Sequence, residues 1–273
     1  MTTTGRSRGE QLVTPHRPAE ALFGLGPIEV AGDTARGHMR TAGWMTDAAG
    51  RPSAGMLGVL LDDVVGQATL NARPEGCWPV TAELSIDVLA GLPVDGTVLT
   101  ATSELLVGGE RTGSARGEVR DPAGRLLALA VVTAHYTDGA PDLSRTPPPA
   151  PSPRTGAVLH EALQATLGVG ADARVLVTLP PGPTAENAAG MGHGGVLAAL
   201  ADVAAAATFA REDQPPLRTT ALRVTYLRPA VLDDVVTFEA RAVRRGRSTG
   251  LARVDIVGGD GRLCAVASVT AGA

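Results

Sequence analysis

The chain has 273 residues, 44% hydrophobic and 19% charged, with a formal net charge of −4. That length holds two domains with a core each, in an ordinary globular balance that excludes a disordered or fibrous chain. The slight negative charge, without a long basic run, argues against a nucleic-acid partner.

In chain order, residues 1–17 are polar, lack the apolar core of a secretory signal and read as a tail. A first domain is expected over 18–139. Its centre is a helix from Gly55 to Ala72, apolar almost all round and therefore buried on several sides. Strands follow at Ala82–Val88, Val98–Val107, Gly113–Arg120 and Leu126–Tyr136, the first with the period-two alternation of a half-covered antiparallel strand. Asp121-Pro-Ala-Gly124 supplies the turn before the last of them. Residues 140–155, with Pro147-Pro-Pro-Ala-Pro151-Ser-Pro153, read as a stiff polyproline linker.

A second domain is expected over 156–273. A short helical stretch over Val158–Leu167 and a strand at Ala173–Leu179 lead into Asn187-Ala-Ala-Gly-Met-Gly-His193-Gly194-Gly195. From there an alanine-rich helix, His193–Arg211, carries one carboxylate, Asp202. Strands near Thr219–Leu227, Val235–Val243, Thr249–Ile256 and Leu263–Thr270 complete the domain. Cys77 and Cys264 have no metal-ligand spacing and read as free buried thiols of a reducing cytosol. The longest apolar stretch, Leu197 to Ala210, is broken by Asp202 and too short to span a bilayer, so a soluble, cytoplasmic protein is expected.

The chain is a tandem repeat. Ala54-Gly-Met-Leu-Gly-Val-Leu-Leu-Asp62-Asp63 matches His193 to Asp202 at an offset of 139 (193 − 54). Thr81 to Leu89 matches Thr219 to Leu227 at 138 (219 − 81), and Gly109 and Gly124 match Gly246 and Gly261 at 137 (246 − 109). Two copies, each with a long central helix and one antiparallel sheet, make an α+β architecture.

Two features carry chemistry. A glycine-rich loop entering a helix leaves unpaired backbone N–H groups where an oxyanion is favoured. A carboxylate on an otherwise buried helix is costly unless something pairs with it or uses it. Together they are the parts for acyl transfer to water. The match of Gly190-x-Gly192-x-x-Gly195 to a dinucleotide fingerprint is set aside, because Pro180-Pro-Gly-Pro-Thr-Ala-Glu intervenes after the strand.

Asn187-x5-His193-Gly-Gly-x6-Asp202, the strand ending Tyr226-Leu-Arg-Pro229, then Gly246-Arg-Ser-Thr and Asp260-Gly-Arg resemble the hotdog-fold acyl-CoA thioesterases of the PaaI-like, phenylacetate-pathway type. The resemblance covers the second domain and, more weakly, the first. It implies a tandem (double) hotdog, with antiparallel central helices, in which two fused copies replace a homodimer. It also allows a homodimer of double hotdogs.

What the resemblance implies for the site follows from helix geometry. Gly194 and Asp202 are about 12 Å apart along one helix, so the donor end of each helix must work with the carboxylate of the other. One site would join Asn187, His193, Gly194 and Gly195 to Asp63, with Gln67 one turn beyond. The other would join Ala54 and Gly55 to Asp202, with Ala48, Ala54 and Met56 in place of Asn, His and Gly, and Ala206 one turn on.

The first site is therefore expected to be the working one. Asp63 would be nucleophile or general base, Gly194 an oxyanion donor, Asn187 the orienting group and His193 a loop-holding or assisting residue. Asp62 reads as solvated or paired with an arginine. Arg244, Arg245, Arg247 and Ser248 read as contacts for the phosphates of coenzyme A or as a solvated hairpin tip. Coenzyme A enters as part of the substrate; no other cofactor and no metal is expected. The substrate is an acyl-CoA or acyl-carrier thioester, and the partners include neither nucleic acid nor membrane. A non-catalytic acyl-ligand binder is the rival reading. A hydratase would need a second histidine beside Asp63.

Overall fold

The computed structural model describes residues 17–144, 146, 148–170, 174–210 and 216–273. The rest of the expected tail, Arg145 and Pro147 of the linker, Ala173 and Arg211 lie outside the described residues. Arg17, placed in the tail from sequence, is buried and precedes a short helix, α1 (Pro18–Leu22).

Two helices of sixteen residues organise the molecule, α2 (Leu57–Ala72) and α4 (Gly194–Phe209). A 3₁₀ turn, Ala54–Met56, leads into α2, and Pro74 forces the preceding Arg73 into an extended conformation that ends it. His193 is the N-cap of α4, where its side chain meets the Gly195 N–H. The helices run antiparallel and nearly touch: a Cβ on Gly195 would lie 2.5 Å from the Gly58 carbonyl, and one on Gly55 would lie 2.6 Å from the Ala199 Cα. Glycine and alanine at the crossing let two backbones approach this closely.

One sheet of twelve strands packs on them. In the first half the strands are β1 (Glu29–Ala31), β2 (Thr34–Arg40), β3 (Cys77–Val88), β4 (Val98–Gly108), β5 (Thr112–Arg120) and β6 (Leu126–Asp138). After a short α3 (Leu159–Ala162) come β7 (Thr166–Val169), β8 (Val175–Leu179), β9 (Arg218–Tyr226), β10 (Val236–Arg245), β11 (Thr249–Val257) and β12 (Leu263–Gly272). The order is β1-β2-β4-β5-β6-β3-β9-β12-β11-β10-β8-β7, all antiparallel. It reads as one half mirrored in the other, joined at β3–β9 where Ser85 pairs with Arg223. Helix α2 lies against the strands of the first half and α4 against those of the second.

The expected Val158–Leu167 helix is instead α3 followed by β7; Gln164, at a φ of +61°, ends it. Cys264 is buried as expected, but Cys77 is only half-buried; both are free thiols. Among the described residues no helix is long and apolar enough to cross a membrane.

Candidate active site

The hydrogen bonds give the repeat a different register from the sequence match. Asp47 Oδ1 accepts from Ala49 N and Arg51 N, and Asn187 Oδ1 accepts from Ala189 N and Met191 N. Ser53 N donates to Met45 O as His193 N does to Ala185 O. Every one of these pairs is 140 apart (187 − 47), not 139. His193 therefore corresponds to Ser53 and Asn187 to Asp47, where Ala54 and Ala48 were expected. The carboxylate corresponding to Asp202 is Asp62, not Asp63. The hairpins keep the offset of 137 read from sequence, as Gly109 N and Gly246 N donate to Thr112 O and Thr249 O.

The two carboxylates sit in matching cradles across the helix crossing. Asp62 Oδ2 accepts from Gly195 N at 3.0 Å, and its Oδ1 accepts from the Thr81 hydroxyl at 3.0 Å. Asp202 Oδ2 accepts from Gly55 N at 2.9 Å and the Ser53 hydroxyl at 2.6 Å, and its Oδ1 from the Thr219 hydroxyl at 2.6 Å. Each acid thus meets the N-terminal end of the opposite helix, where a negative charge is favoured. Asp62 is not solvated or arginine-paired as the sequence implied: its partners are a helix end, a threonine and a histidine.

The cradles differ in access. The Asp202 residue is 1% exposed, and burial pushes its carboxyl up against the pull of the Ser53, Thr219 and Gly55 bonds. The Asp62 side chain is 12% exposed and lines two cavities. One, of about 240 Å³, lies between α2 and the segment 20–28 and includes Glu20, Asp63, Gln67 and His193. The other, of about 630 Å³, runs past Trp78, His135, Gly194, Tyr226 and Arg228. Thr81 and Asn187 line both.

His193 links the two aspartates. Its Nδ1 is 3.3 Å from Asp62 Oδ2 and its Nε2 3.3 Å from Asp63 Oδ2. Burial alone would lower the imidazole pKa, but Asp63 and Asp62 together hold it well above the usual range. The Nε2–H donates to Asp63, while Nδ1 stands 3.3 Å from Asp62 Oδ2 as an ion-pair contact and 3.1 Å from Gly195 N, whose N–H is shared with Asp62. A cation at a helix N-terminus is unfavourable by itself; the pair of carboxylates reverses the local charge.

Glu20 of α1, absent from the sequence reading of the site, closes the cluster. One ligand atom each from Glu20, Asp63 and His193 lies within 4.8 Å of the others, close enough for one cation. A protonated imidazole already neutralises Asp63, so these residues fit a shared proton better than a metal. Burial and the neighbouring Asp63 push the Glu20 carboxyl up to about 8, against the pull of His193 and Arg17.

A raised folded pKa means that the contribution of Glu20 to stability is full below its unfolded value and is lost as pH rises through about 8. Glu20→Gln keeps an acceptor for the Arg17 N–H, which Glu20 Oε2 receives at 3.1 Å, and cannot ionise. The variant is expected to gain on the wild type by on the order of 3 kcal/mol between about pH 5 and about pH 9, read as urea-unfolding free energies. A difference that stays constant with pH contradicts the assignment.

The remaining expected residues are placed as follows. Asn187 has its Oδ1 committed to the loop turn, the same job Asp47 does, while its side chain lines both cavities. Gln67 lines the smaller cavity and donates to Asn71. A Cβ on Gly194 would lie 2.7 Å from Asp62 Oδ2 and would displace that carboxylate. Its carbonyl accepts from the Tyr226 hydroxyl at 2.7 Å. Arg245 Nε donates to the carbonyl of Phe209, the last residue of α4, about 22 Å along the helix from Gly194. The Arg244–Ser248 hairpin therefore lies at the far end of α4, and Arg228 is the arginine that lines the larger cavity.

Thr81, Tyr226, Glu20 and Trp78 were missed. Thr81 and Tyr226 carried a signal: both copies place a threonine on the equivalent strand, Thr81 in β3 and Thr219 in β9, and Tyr226 belongs to the motif that ends β9.

Comparison with known proteins bears on the fold. Residues 6–134 match the family model of the acyl-CoA thioesterase C-terminal domain, and residues 189–265 match that of the thioesterase superfamily. No curated protein matches the chain. Among solved structures, the tesB protein of Mycobacterium avium subspecies paratuberculosis is 16% identical, with a TM-score of 0.64 over 90% of this chain and 94% of that one. Acyl-CoA thioesterase II TesB2 of Mycobacterium marinum is 13% identical, with a TM-score of 0.61 over 93% and 96%. A conserved hot dog fold protein of Alicyclobacillus acidocaldarius is 16% identical, with a TM-score of 0.58 over 90% and 94%. The chain has the fold of the hotdog thioesterases, and each of its halves matches a thioesterase family model.

Proposed function

We propose that the protein is a double-hotdog hydrolase of acyl-CoA or acyl-carrier thioesters, with one working site between its halves at Asp62 and the start of α4. The observation that carries this is the Asp62 carboxylate, hydrogen-bonded to the end of the opposite helix and bordered by a cavity on either side. The thioester lies across Asp62 with its acyl group in the smaller cavity and its thiol arm along Trp78, Tyr226 and Arg228, whose cation suits a phosphate.

The first turn of a helix leaves N–H groups without intrahelical partners. That of Gly194 finds no acceptor among the described residues and receives the developing oxyanion. Asn187 contributes its Nδ2–H to the same carbonyl. The Asp62 carboxylate takes a proton from the attacking water, and collapse of the tetrahedral intermediate breaks the C–S bond and gives that proton to the leaving thiolate; or it attacks the carbonyl itself, expels the thiolate, and water then hydrolyses the mixed anhydride and supplies the thiol proton. Thr81 and the His193 imidazolium hold that carboxylate in place, and Asp63 fixes the ring from its other side. Asp202 is the counterpart that keeps the fold of the helix end and not the access. The motif at Asn187–Asp202 favours the PaaI-like subtype, and the cytoplasm, where such thioesters are made and used, is the compartment this reading implies.

The experiment is turnover of an acyl-CoA panel by the full chain, followed as release of free thiol. Hydrolysis of at least one ester is expected. Tight binding of every ester without thiol release would leave a binding protein and overturn the proposal.

A further inference from the structure

Gly194 and Gly195 open α4, and glycine is the residue whose backbone its own side chain confines least. A Cβ on Gly195 would meet the Gly58 backbone at 2.5 Å, so a larger residue cannot supply the stiffness there. The peptide between the two glycines is instead tied at both ends. Its N–H, on Gly195, is 3.0 Å from Asp62 Oδ2 and is shared with His193 Nδ1. Its carbonyl, on Gly194, accepts from the Tyr226 hydroxyl at 2.7 Å. Tyr226, the peptide and Asp62 thus form one line of hydrogen bonds, in which the bond at the carbonyl polarises the N–H and strengthens it as a donor.

Tyr226 ends β9 and lines the larger cavity together with Asp62 and Gly194. Burial first, and then the charge of Asp62, hold its phenol well above the ordinary range, so it stays a neutral donor at neutral pH. The other half of the molecule lacks this bond. Ser85 pairs with Arg223 at the joint of the two halves, an offset of 138 (223 − 85), and the same offset sets Val88 in the place of Tyr226. A valine has nothing to donate to Ala54, whose carbonyl corresponds to that of Gly194. The hydroxyl therefore accompanies the carboxylate that opens to the cavities and not Asp202, which is 1% exposed.

Resting on the thioesterase reading above, we propose that Tyr226 is a positioning residue of the reaction: its hydroxyl fixes and polarises the Gly194–Gly195 peptide and, through the Gly195 N–H, holds the Asp62 carboxylate in its working orientation. In this role it touches no reacting atom. Without the hydroxyl the Gly195 N–H is a weaker and less well aimed donor, and Asp62 keeps only Thr81 and His193 as firm partners. The loss falls on the chemical step and not on the affinity for substrate.

The test is Tyr226→Phe, which removes one oxygen and keeps the ring. With the full chain and the best acyl-CoA ester, kcat is expected to fall roughly tenfold while KM stays within about twofold. In an Asp62→Asn background the same change is expected to alter the residual rate by less than about twofold, because the carboxylate it acts through is gone. An unchanged kcat overturns the proposal. So does a raised KM at constant kcat, because the hydroxyl then binds substrate, and so does a tenfold loss that persists beside Asp62→Asn.

Nuclear magnetic resonance of the isotope-labelled chain reads the hydrogen bond without turnover. The Gly195 amide proton is expected to move upfield by tenths of a ppm in Tyr226→Phe, and an unmoved resonance overturns the proposal. If no ester is turned over, the hydrolase reading has failed by itself, and this resonance decides whether Tyr226 acts on the peptide. If Tyr226→Phe does not fold, fluorotyrosine in place of both tyrosines, a stronger donor of nearly the same size, must move the same resonance downfield. The other tyrosine, Tyr136, donates to the Thr69 carbonyl and not to this peptide. No downfield movement counts against the proposal.

Discussion

Asp62→Asn is expected to lower kcat for thioester hydrolysis by a thousandfold or more, on the order of 4 kcal/mol of transition-state stabilisation. The amide has nearly the shape of the carboxylate but can neither accept the proton of water nor attack a carbonyl. Folding should survive, because the amide oxygen still accepts from Gly195 N or from the Thr81 hydroxyl, the two bonds Asp62 makes in the structure. Asp63→Asn, one residue along the helix, is expected to cost far less, roughly tenfold. It leaves His193 Nε2 with a neutral partner in place of the anion now 3.3 Å away, and so weakens the grip on Asp62 without removing it. If Asp63 proves the more sensitive of the two, the reactive group is the carboxylate beside Glu20, and the site lies within the smaller cavity.

The largest stability effect is expected at the helix crossing. Gly195→Ala would place a Cβ 2.5 Å from the backbone carbon and oxygen of Gly58 and from the Val59 Cα. Two backbones cannot yield as the end of a side chain can, so α2 and α4 must separate along a fully buried seam. A loss of about 3 kcal/mol or more is expected, at the upper end for an overpacked core. Gly66→Ala is the opposite case on α2. Nothing lies within 4 Å of its Cβ, and replacing a mid-helix glycine should stabilise by about 0.5–1 kcal/mol. Urea midpoints at unchanged slope measure both. Equal effects would mean that the close crossing is not part of the folded state in solution.

The hairpins and inner strands were legible because their signals are local and sharp. Gly109 and Gly246 open the same four-residue turn, and strand β3 alternates apolar with polar residues. The helix register was not legible. Stretches of Ala, Gly, Val and Leu match one another almost as well when slid by one residue, and the adjacent acids Asp62 and Asp63 offer two anchors. What fixes the register is a set of hydrogen bonds across the crossing, Gly195 N to Asp62 and Gly55 N to Asp202, which a linear match does not contain.

Strand β2 was missed for another reason. Its inward positions are Ala35, Gly37 and Met39, and Gly37 is small because Val64 fills the space a Cβ would need, 2.5 Å away. Thr34-Ala-Arg-Gly-His-Met-Arg40 does alternate polar residues with inward ones, but two of the three inward residues, Ala35 and Gly37, are too small to mark a strand by hydrophobicity. The position of the arginine hairpin was not legible either, because sequence gives its charge and not which end of α4 it reaches.

The two equivalent carboxylates differ in access, and their paired substitution separates one working site from two. Asp62→Asn and Asp202→Asn should be compared for thiol release from the best acyl-CoA ester, at equal folded concentration. Asp62→Asn is expected to abolish turnover, whereas Asp202→Asn, whose parent carboxylate is 1% exposed and committed to Ser53, Gly55 and Thr219, loses stability and keeps kcat within about tenfold. Abolished turnover in Asp202→Asn with Asp62→Asn still active would contradict this expectation, and would place the chemistry at the start of α2.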